Sequence, residues 1–166
     1  ILFFAFSTRT VAEENCKVTV ADYSKICITL TYGDDIRVTD VETEKGKHSI
    51  ITSPSFFPSS DVGNPNLPVL SRVLEIPLCE GVDYKIKSTK VETYSGKSLG
   101  VNYPIYPVQP SRSKQEEGPF EMVKNDETYA KNHFYANELV YVEKVGVARN
   151  VNLADLYFSP ISYNPV

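Results

Sequence analysis

The sequence predicts an all-β fold: an antiparallel β-sandwich of a jelly-roll-like kind, with one long irregular insert. Eleven prolines are spread along the 166 residues, which argues against long helices. Short stretches in which apolar and polar residues alternate recur along the chain, and turns rich in glycine or proline separate them. Many short strands joined in this way indicate a sandwich or a jelly-roll barrel, and the length suits about one domain.

The amino terminus has the pattern of a signal-peptide remnant. Residues 1–6 are apolar but too few to cross a bilayer, so no stable membrane span is expected. Cleavage after Ala12 would leave residues 1–12 as the remnant and 13–166 as the domain. The alternative is a first core strand. The signal interpretation predicts export to the periplasm, and then to the cell surface or the medium.

The first predicted strands lie between residues 25 and 54. Residues 25–32, KICITLTY, alternate with a period of two, which is typical of a half-buried strand. A Gly-Asp-Asp turn leads into a second strand, residues 36–44, and a Lys-Gly turn leads into a third, residues 48–54.

A strand between two prolines follows a loop at residues 53–66. Pro68 starts this strand and Pro77 ends it, because proline lacks the N–H group that a central strand needs. Three apolar residues share one face with Arg72, which therefore requires a carboxylate or carbonyl partner. The opposite face, which includes Val73, is expected to be partly buried.

The remaining predicted elements are less regular. Residues 82–94 predict a strand with a β-bulge after Ser88, where the alternation changes phase. Residues 95–138 form the irregular insert, with at most one short helix near residues 127–132. Two last strands are expected, at residues 138–151 and 153–163.

The sequence contains no recognisable catalytic or cofactor motif. It lacks a phosphate-binding loop, a paired-cysteine motif and a helix with two histidines at zinc spacing, so neither a metal nor a cofactor is expected. His48 and His133 are isolated, and nothing local pairs either of them with a cysteine nucleophile. Three cysteines do not define a disulfide framework. A net charge of −4 without a basic stripe argues against nucleic acid as a partner.

Two spaced motifs stand out, one in the middle of the chain and one at its end. The first is G-x-P-x-L-P-x-x-S-R at residues 63–72, and the second is F-x-P-x-x-Y-N-P-V at residues 158–166. Together they resemble the N-terminal propeptides of gingipain-type cysteine peptidases, which commonly have an arginine at the position of Arg149. The resemblance implies structural roles for Gly63, Pro65, Leu67, Pro68, Ser71, Arg72, Arg149, Pro160, Tyr163, Asn164 and Pro165.

The resemblance also implies an architecture and a role. In the family, a signal peptide and a β-sandwich prodomain precede a caspase-like catalytic domain with its own His and Cys. The prodomain assists folding, holds the peptidase latent and is then cut away. No catalytic residue of the family maps onto this chain, so the chain itself is not expected to be an enzyme. The family runs on into further strands after Asn-Pro-Val, which implies a domain truncated at its C-terminal end.

The implied partner is the catalytic domain of the cognate cysteine peptidase. Several family members cleave after Arg or Lys, and their clefts hold an acidic specificity pocket. Arg112 and Lys114, in the polar run at residues 111–117, are candidate inhibitory side chains for such a pocket, and a solvated charged loop is the alternative. A different function is an exported carbohydrate-binding module, whose aromatic surface would comprise Tyr103, Tyr106, Tyr129, Phe134 and Tyr135.

Overall fold

The computed structural model describes residues 16–22, 25–32, 36–77, 81–113 and 121–166. Its paired strands are all antiparallel, it has almost no helix, and the described ranges form no closed barrel. The all-β, antiparallel fold class is thereby confirmed. The chain forms two compact units, and the boundary between them lies between Asp34 and Asp35. The predicted signal remnant, residues 1–12, lies outside the described residues, and no described helix is long and apolar enough to span a membrane.

The first unit contains a single hairpin. Strand β1, Cys16–Asp22, pairs antiparallel with β2, Lys25–Leu30, and the register shifts between Val20 and Asp22. Strand β2 confirms the prediction made from KICITLTY. Strand β1 was not predicted, although Val18 and Val20 alternate with Lys17 and Thr19.

The second unit begins with another hairpin. Strand β3, Arg37–Thr43, pairs with β4, Gly46–Thr52, in a continuous register from Thr43–Gly46 to Arg37–Thr52. Gly46 has a φ of 106°, a conformation that glycine adopts without a steric penalty. The Thr43 hydroxyl donates a hydrogen bond of 2.8 Å to the Gly46 carbonyl oxygen. Both predicted strands and the Lys-Gly turn are thus confirmed.

A three-stranded sheet forms the centre of the second unit. Strand β5, Leu70–Ile76, and strand β6, Val140–Ala148, lie on either side of β7, Val151–Phe158. Alternate residues along β7 are buried, because successive side chains point to opposite faces of the sheet and one face packs against the core. The turn between β6 and β7 consists of Arg149 and Asn150, with φ values of 49° and 67°, as a two-residue type I′ turn requires.

Strand β5 confirms the strand that was predicted between two prolines. Leu70 and Ile76 are buried, and half-buried Arg72 donates through a guanidinium nitrogen to the Ser71 carbonyl oxygen at 2.8 Å. Arg72 therefore has the carbonyl partner that the sequence required. The expected burial of Val73 is wrong, since 64% of this residue is exposed.

The strand predicted for residues 82–94 is also wrong. These residues lie outside every strand, and their side chains are exposed from Asp83 onward. Alternation shows how side chains would face a sheet, but a strand forms only where a neighbour supplies the backbone hydrogen bonds. The last predicted strand likewise ends at Phe158, five residues earlier than expected, and only an isolated bridge follows at Tyr163.

The insert contains little regular structure, as predicted. It has a 3-10 helix, Gly96–Leu99, and one short helix, α1, Asp126–Ala130, at the predicted position. Buried apolar residues come from the sheet, from the loop before β5 and from the insert: Phe56, Leu67, Leu70, Ile76, Ile105, Val108, Met122, Ala154 and Leu156. The insert therefore contributes to the core of the second unit.

Candidate functional site: the stem of the insert loop

Two segments near the middle of the insert hold its polar loop in place. Residues 104–109 lead into the loop, residues 110–121, and residues 122–125 lead out of it; the two segments together are called the stem. Proline is frequent in the leading segment and restricts its backbone. Arg112 lies exposed in the loop, whereas Lys114 lies outside the described residues. The described contacts therefore define the base of the loop.

One side of the stem is bound to strand β4 at Ser49. The Ser49 N–H donates to the Pro104 carbonyl oxygen at 2.9 Å, and the Tyr106 N–H donates to the Ser49 carbonyl oxygen at 2.8 Å. The fully buried Ser49 hydroxyl donates to an Asp40 carboxylate oxygen at 2.8 Å and accepts from the Tyr103 N–H at 3.2 Å. Both the backbone and the side chain of Ser49 thus fix the start of the stem.

The other side of the same segment is bound to the first sequence motif. The Gly63 N–H donates to the Val108 carbonyl oxygen at 2.8 Å, and the Val108 N–H donates to the Asn64 carbonyl oxygen at 2.9 Å. The Asn66 N–H donates to the Tyr106 carbonyl oxygen at 3.0 Å. These three bonds form a short antiparallel ladder between the motif and the stem.

Glycine and proline in the first motif have definite positions in this ladder. Pro65 and Pro107 are buried opposite each other in an antiparallel bridge. Gly63 has a φ of 84°, and its carbonyl oxygen accepts from the Asn125 N–H at 2.8 Å. A Cβ atom at this position would lie 3.3 Å from the Asn125 nitrogen. Glycine is therefore required both by the backbone conformation and by the close approach of the returning segment.

The side chain of Gln109 closes the base of the loop. Its Nε2 donates to the carbonyl oxygens of Val123 and Pro107, each at 2.9 Å, and its Oε1 accepts from the Val123 N–H, also at 2.9 Å. The amide thus pairs with Val123 as a neighbouring strand would. Met122, beside Val123, is 3% exposed. Both ends of the loop are consequently held by the folded unit.

Polar side chains connect helix α1 to the same place. Asn64 Oδ1 accepts from Asn125 Nδ2 at 3.1 Å and from the Thr128 hydroxyl at 2.8 Å. Asn125 is also the N-cap of α1, where its side chain accepts from the Thr128 N–H. The Tyr129 hydroxyl donates to the Ile105 carbonyl oxygen at 2.5 Å, and burial raises the pKa of Tyr129. The helix therefore supports both segments of the stem.

The second motif connects through Tyr135 to Asp61, whose carboxylate also accepts from Asn64 Nδ2 of the first motif at 2.7 Å. Tyr163 and Tyr135 exchange two backbone hydrogen bonds of 2.8 and 2.9 Å. The Tyr135 hydroxyl donates to an Asp61 carboxylate oxygen at 2.9 Å; burial, followed by this hydrogen bond, raises the pKa of Tyr135. Asn164 Nδ2 donates to Asn132 Oδ1 at 2.7 Å. The two motifs thus belong to one structural network around the stem.

The other motif residues fall into three groups. Leu67 and Pro68 are buried, and the Leu67 N–H donates to the Ser59 hydroxyl at 3.2 Å. The half-buried residues are Ser71, Arg72, Pro160 and Pro165. Arg149 differs from all of them, because it is exposed in the turn between β6 and β7 and lies in neither motif segment.

The aromatic residues proposed for carbohydrate binding do not form one open surface. Tyr103, Tyr106, Tyr129 and Tyr135 are half-buried. Their rings or hydroxyls contact Lys47, His48, the Ile105 carbonyl oxygen and Asp61, respectively. Of this set only Phe134, at 51%, is largely exposed. The four tyrosines are therefore engaged in contacts within the second unit.

His48 packs directly against the stem. It is 2% exposed, and its ring meets that of Tyr106 edge-on at 5.9 Å. His48 Nδ1 lies 3.2 Å from the Gly46 carbonyl oxygen. Burial lowers the pKa of His48 and nearby Lys124 acts in the same sense, while the contact with the Gly46 carbonyl opposes them. A neutral imidazole is therefore favoured at this position.

Sequence reasoning missed the residues that form most stem contacts. Asn64 occupies a variable position of the first motif, and Gln109 is a single glutamine between two prolines. Neither has a local pattern that marks it. The described ranges contain no group of three His, Cys, Asp or Glu residues that could hold a metal ion.

The described residues thus combine an antiparallel β-scaffold with a stem that holds the residues on either side of a polar run, and residues of both motifs contribute to its contacts. The chain belongs to the Propeptide_C25 family, whose sequence profile matches residues 10–166. The predictions of a gingipain-type propeptide, and of a chain that is not itself an enzyme, are thereby confirmed.

Curated relatives come from Porphyromonas gingivalis. Lys-gingipain is 32% identical over 136 residues, which make up 80% of this chain and 8% of that protein. Gingipain R1 is 26% identical over 165 residues, 98% of this chain and 16% of that protein. Gingipain R2 is 27% identical over 136 residues, 80% of this chain and 17% of that protein. The chain thus spans less than a fifth of the length of these relatives.

Solved structures share the fold. One, reported for the zymogenic latency of gingipain K from P. gingivalis, superposes with a TM-score of 0.80 at 27% identity, over 90% of this chain and 82% of that one. Another, the complex of the pro- and mature domains of P. gingivalis RgpB, gives a TM-score of 0.71 at 25% identity, over 92% and 76% of the two chains.

Proposed function

We propose that this chain assists the folding of the catalytic domain of an exported gingipain-like cysteine peptidase and then holds it latent. The observation that supports this most directly is the stem, which fixes the residues on either side of the polar run that contains Arg112 and Lys114. A loop that is already ordered at its base loses less conformational entropy when it enters a cleft. The solved complex of the RgpB pro- and mature domains supports the same partner class.

The loop is proposed to deliver a basic side chain to the specificity pocket of the peptidase. Arg112 is exposed at the start of the loop, and Lys114 follows two residues later. A charge-assisted hydrogen bond contributes roughly 1.5–3 kcal/mol net, which corresponds to about 10- to 150-fold in affinity. The loop would remain uncut if its fixed ends kept the peptide bond after the basic residue away from the nucleophile of the peptidase.

Export is part of the proposal. The apolar run at residues 1–6 and the cleavage position after Ala12 support a signal remnant at 1–12 ahead of a propeptide domain at 13–166. Transfer to the periplasm, followed by the cell surface or the medium, is the expected route. N-terminal sequencing of the exported precursor tests it: a chain that begins at Glu13 is expected, and one that begins at or before Ala12 would contradict it.

An inhibition titration tests latency. The chain is titrated against its cognate catalytic domain as the parent, as Arg112→Ala, as Lys114→Ala and as the double variant. The inhibition constant is expected to rise by roughly 10- to 150-fold in the variant that loses the pocket residue. Lys97→Ala, an exposed lysine outside the loop, serves as the control. A double variant that inhibits as tightly as the parent would remove the loop from the proposal.

A further inference from the structure

His48 lies where the hairpin of β3 and β4 meets the stem. It is 2% exposed, it pairs with Val41 of β3, and its ring meets the Tyr106 ring edge-on at 5.9 Å. The next residue, Ser49, forms the two backbone hydrogen bonds, to Pro104 and Tyr106, that attach the stem to β4. The imidazole is therefore enclosed beside the attachment point of the stem.

The hydrogen bonds of His48 determine where an added proton would go. Its Nδ1 lies 3.2 Å from the Gly46 carbonyl oxygen, which can only accept, so a bond there places the N–H of the neutral ring on Nδ1. The Thr43 hydroxyl lies 3.3 Å from the same nitrogen and donates to the same carbonyl oxygen. A second proton would thus occupy Nε2, for which the described residues supply no hydrogen-bond acceptor. A buried donor without an acceptor is unfavourable.

The charges around His48 also oppose protonation. The carboxylates of β3, Asp40 and Glu42, belong to the rows on either side of the His48 row, so alternation places them on the opposite face of the hairpin. The stem contributes the Tyr106 ring and the positive charge of Lys124. Burial lowers the pKa of His48, and Lys124 acts in the same sense against the weaker contribution of the carbonyl contact.

Lys124 has contacts of its own that keep it near the stem. Its Nζ lies 4.7 Å from the centre of the Tyr129 ring and 3.5 Å from an Asp126 carboxylate oxygen. The Asp126 side chain is 89% exposed, so water and salt screen its charge, and the net effect at His48 is that of a cation. Protonated His48 would therefore be a second positive charge in a buried place.

We propose that His48 is a pH-sensitive switch of the stem: its protonation separates residues 104–109 from β4, so that the loop is released in mildly acidic solution. Separation admits water to the imidazole and removes it from Lys124, which relieves both penalties. This inference rests on the proposed function for its consequence, because a loop whose base is no longer fixed can adopt the extended geometry that a peptidase cleaves.

The size of the effect follows from proton linkage. In the open stem the pKa of His48 takes its ordinary value of 6.5, whereas the closed stem binds the proton more weakly. The equilibrium constant for opening therefore rises as the pH falls below 6.5 and is nearly constant above it. Between pH 7.5 and 5.5 the largest possible increase is about tenfold, which is reached when the closed stem stays unprotonated.

Hydrogen exchange of the Tyr106 amide measures this opening, since its N–H donates to the Ser49 carbonyl oxygen at 2.8 Å. The result is expressed as a protection factor relative to an unstructured amide, which removes the direct effect of pH on exchange chemistry. From pH 7.5 to 5.5 the protection factor is expected to fall about 5- to 10-fold in the parent and less than about twofold in His48→Gln. His133→Gln, which changes an exposed histidine, is the matched control and should follow the parent.

Local opening is distinguished from unfolding of the whole unit by a second amide. Ala154 lies at the centre of the sheet β5–β7–β6 and is fully buried, so its amide reports global unfolding. At pH 5.5 in low concentrations of urea, protection at Tyr106 is expected to be lower, and to depend less on urea, than protection at Ala154. Equal protection and equal urea dependence at the two amides would overturn the inference.

Another measurement needs no substitution at His48. In His133→Gln, His48 is the single histidine of the sequence, so one imidazole signal gives its pKa by NMR. A pKa below 6.5 is expected, and Lys124→Gln in the same background should raise this pKa because a nearby cation is removed. A pKa of 6.5 or above in the His133→Gln chain would overturn the inference.

Trypsin, which cleaves after Arg and Lys, tests release of the loop independently of the cognate peptidase. The rate of cleavage after Arg112 or Lys114 is divided by that of a free peptide of residues 110–121, and this ratio should rise by up to about tenfold from pH 7.5 to 5.5. A ratio that is independent of pH overturns the inference, whatever the inhibition titration shows. Absence of inhibition at pH 7.5, with exchange and cleavage as expected, overturns latency and leaves the switch standing.

Discussion

The amide of Gln109 offers the sharpest test of the stem. Gln109→Ala removes three hydrogen bonds of 2.9 Å, two to Val123 and one to the Pro107 carbonyl oxygen. At about 0.5–1.5 kcal/mol net for each bond, the sum is about 1.5–4.5 kcal/mol. Val123 is 42% exposed, so its backbone groups can hydrogen-bond to water in the variant. The expected loss of stability at the base of the loop is therefore about 1–2 kcal/mol.

This loss should be local to the base of the loop. Hydrogen exchange followed by mass spectrometry reports it at the Val123 amide, whose proton is bound to Gln109 Oε1 in the parent. A loss of about 1–2 kcal/mol accelerates exchange roughly 5- to 30-fold. Gln109→Glu keeps the acceptor but sets a carboxylate oxygen against the carbonyl oxygens of Val123 and Pro107, so it should not restore the parent rate.

The control is Asn102→Ala, which removes one amide bond to the Gly100 carbonyl oxygen outside the stem. It should leave exchange at Val123 unchanged. Exchange of the Val123 amide at the parent rate in Gln109→Ala would refute this role of Gln109, because the base of the loop would then be held by other contacts.

Two further predictions concern the scaffold. Gly63→Ala should lower the free energy of unfolding by about 1–3 kcal/mol, because φ is positive at this residue and Asn125 is close. Gly81 has open space around it, so Gly81→Ala should change the free energy of unfolding by less than about 1 kcal/mol. Equal urea midpoints for the two variants would contradict this. Because the folded pKa of His48 lies below its ordinary 6.5, its contribution to stability is complete above pH 6.5 and is lost as pH falls toward the folded pKa. Urea titrations at pH 7.5 and 5.5 should therefore show that the free energy of unfolding falls less on acidification in His48→Gln than in exposed His133→Gln. Identical decreases in the two variants would refute this role of His48.

The strands that the sequence predicted correctly share a physical cue. Strand β5 lies between two prolines, which fix where the strand can begin and end. Strands β3 and β4 meet at a Lys-Gly turn, in which Gly46 has a positive φ. In such cases the local chemistry determines the element. Residues 82–94 have the same alternation but no pairing strand, and alternation carries no information about a neighbour.

The candidate site was less predictable than the fold. The loop could be located from its composition, but its support comes from Ser49, Asn64 and Gln109, which lie far apart in the sequence. Single polar residues have no periodicity, so only the folded contacts identify them. Asn64 stood in the first motif as a variable position, although its side chain binds helix α1.

The facing prolines of the stem have a consequence for folding fidelity. Pro65 and Pro107 lie opposite each other, and the bonds that flank them use the N–H groups of Asn66 and Val108. Both prolines thus occupy positions where an N–H would point away from the partner segment. A slip of one residue would bring a proline to a position that must donate, and the ladder would lose bonds that it could not replace. The pairing of motif and stem therefore selects one register. Misaligned forms lack hydrogen bonds and reopen, so the loop extends from a single alignment.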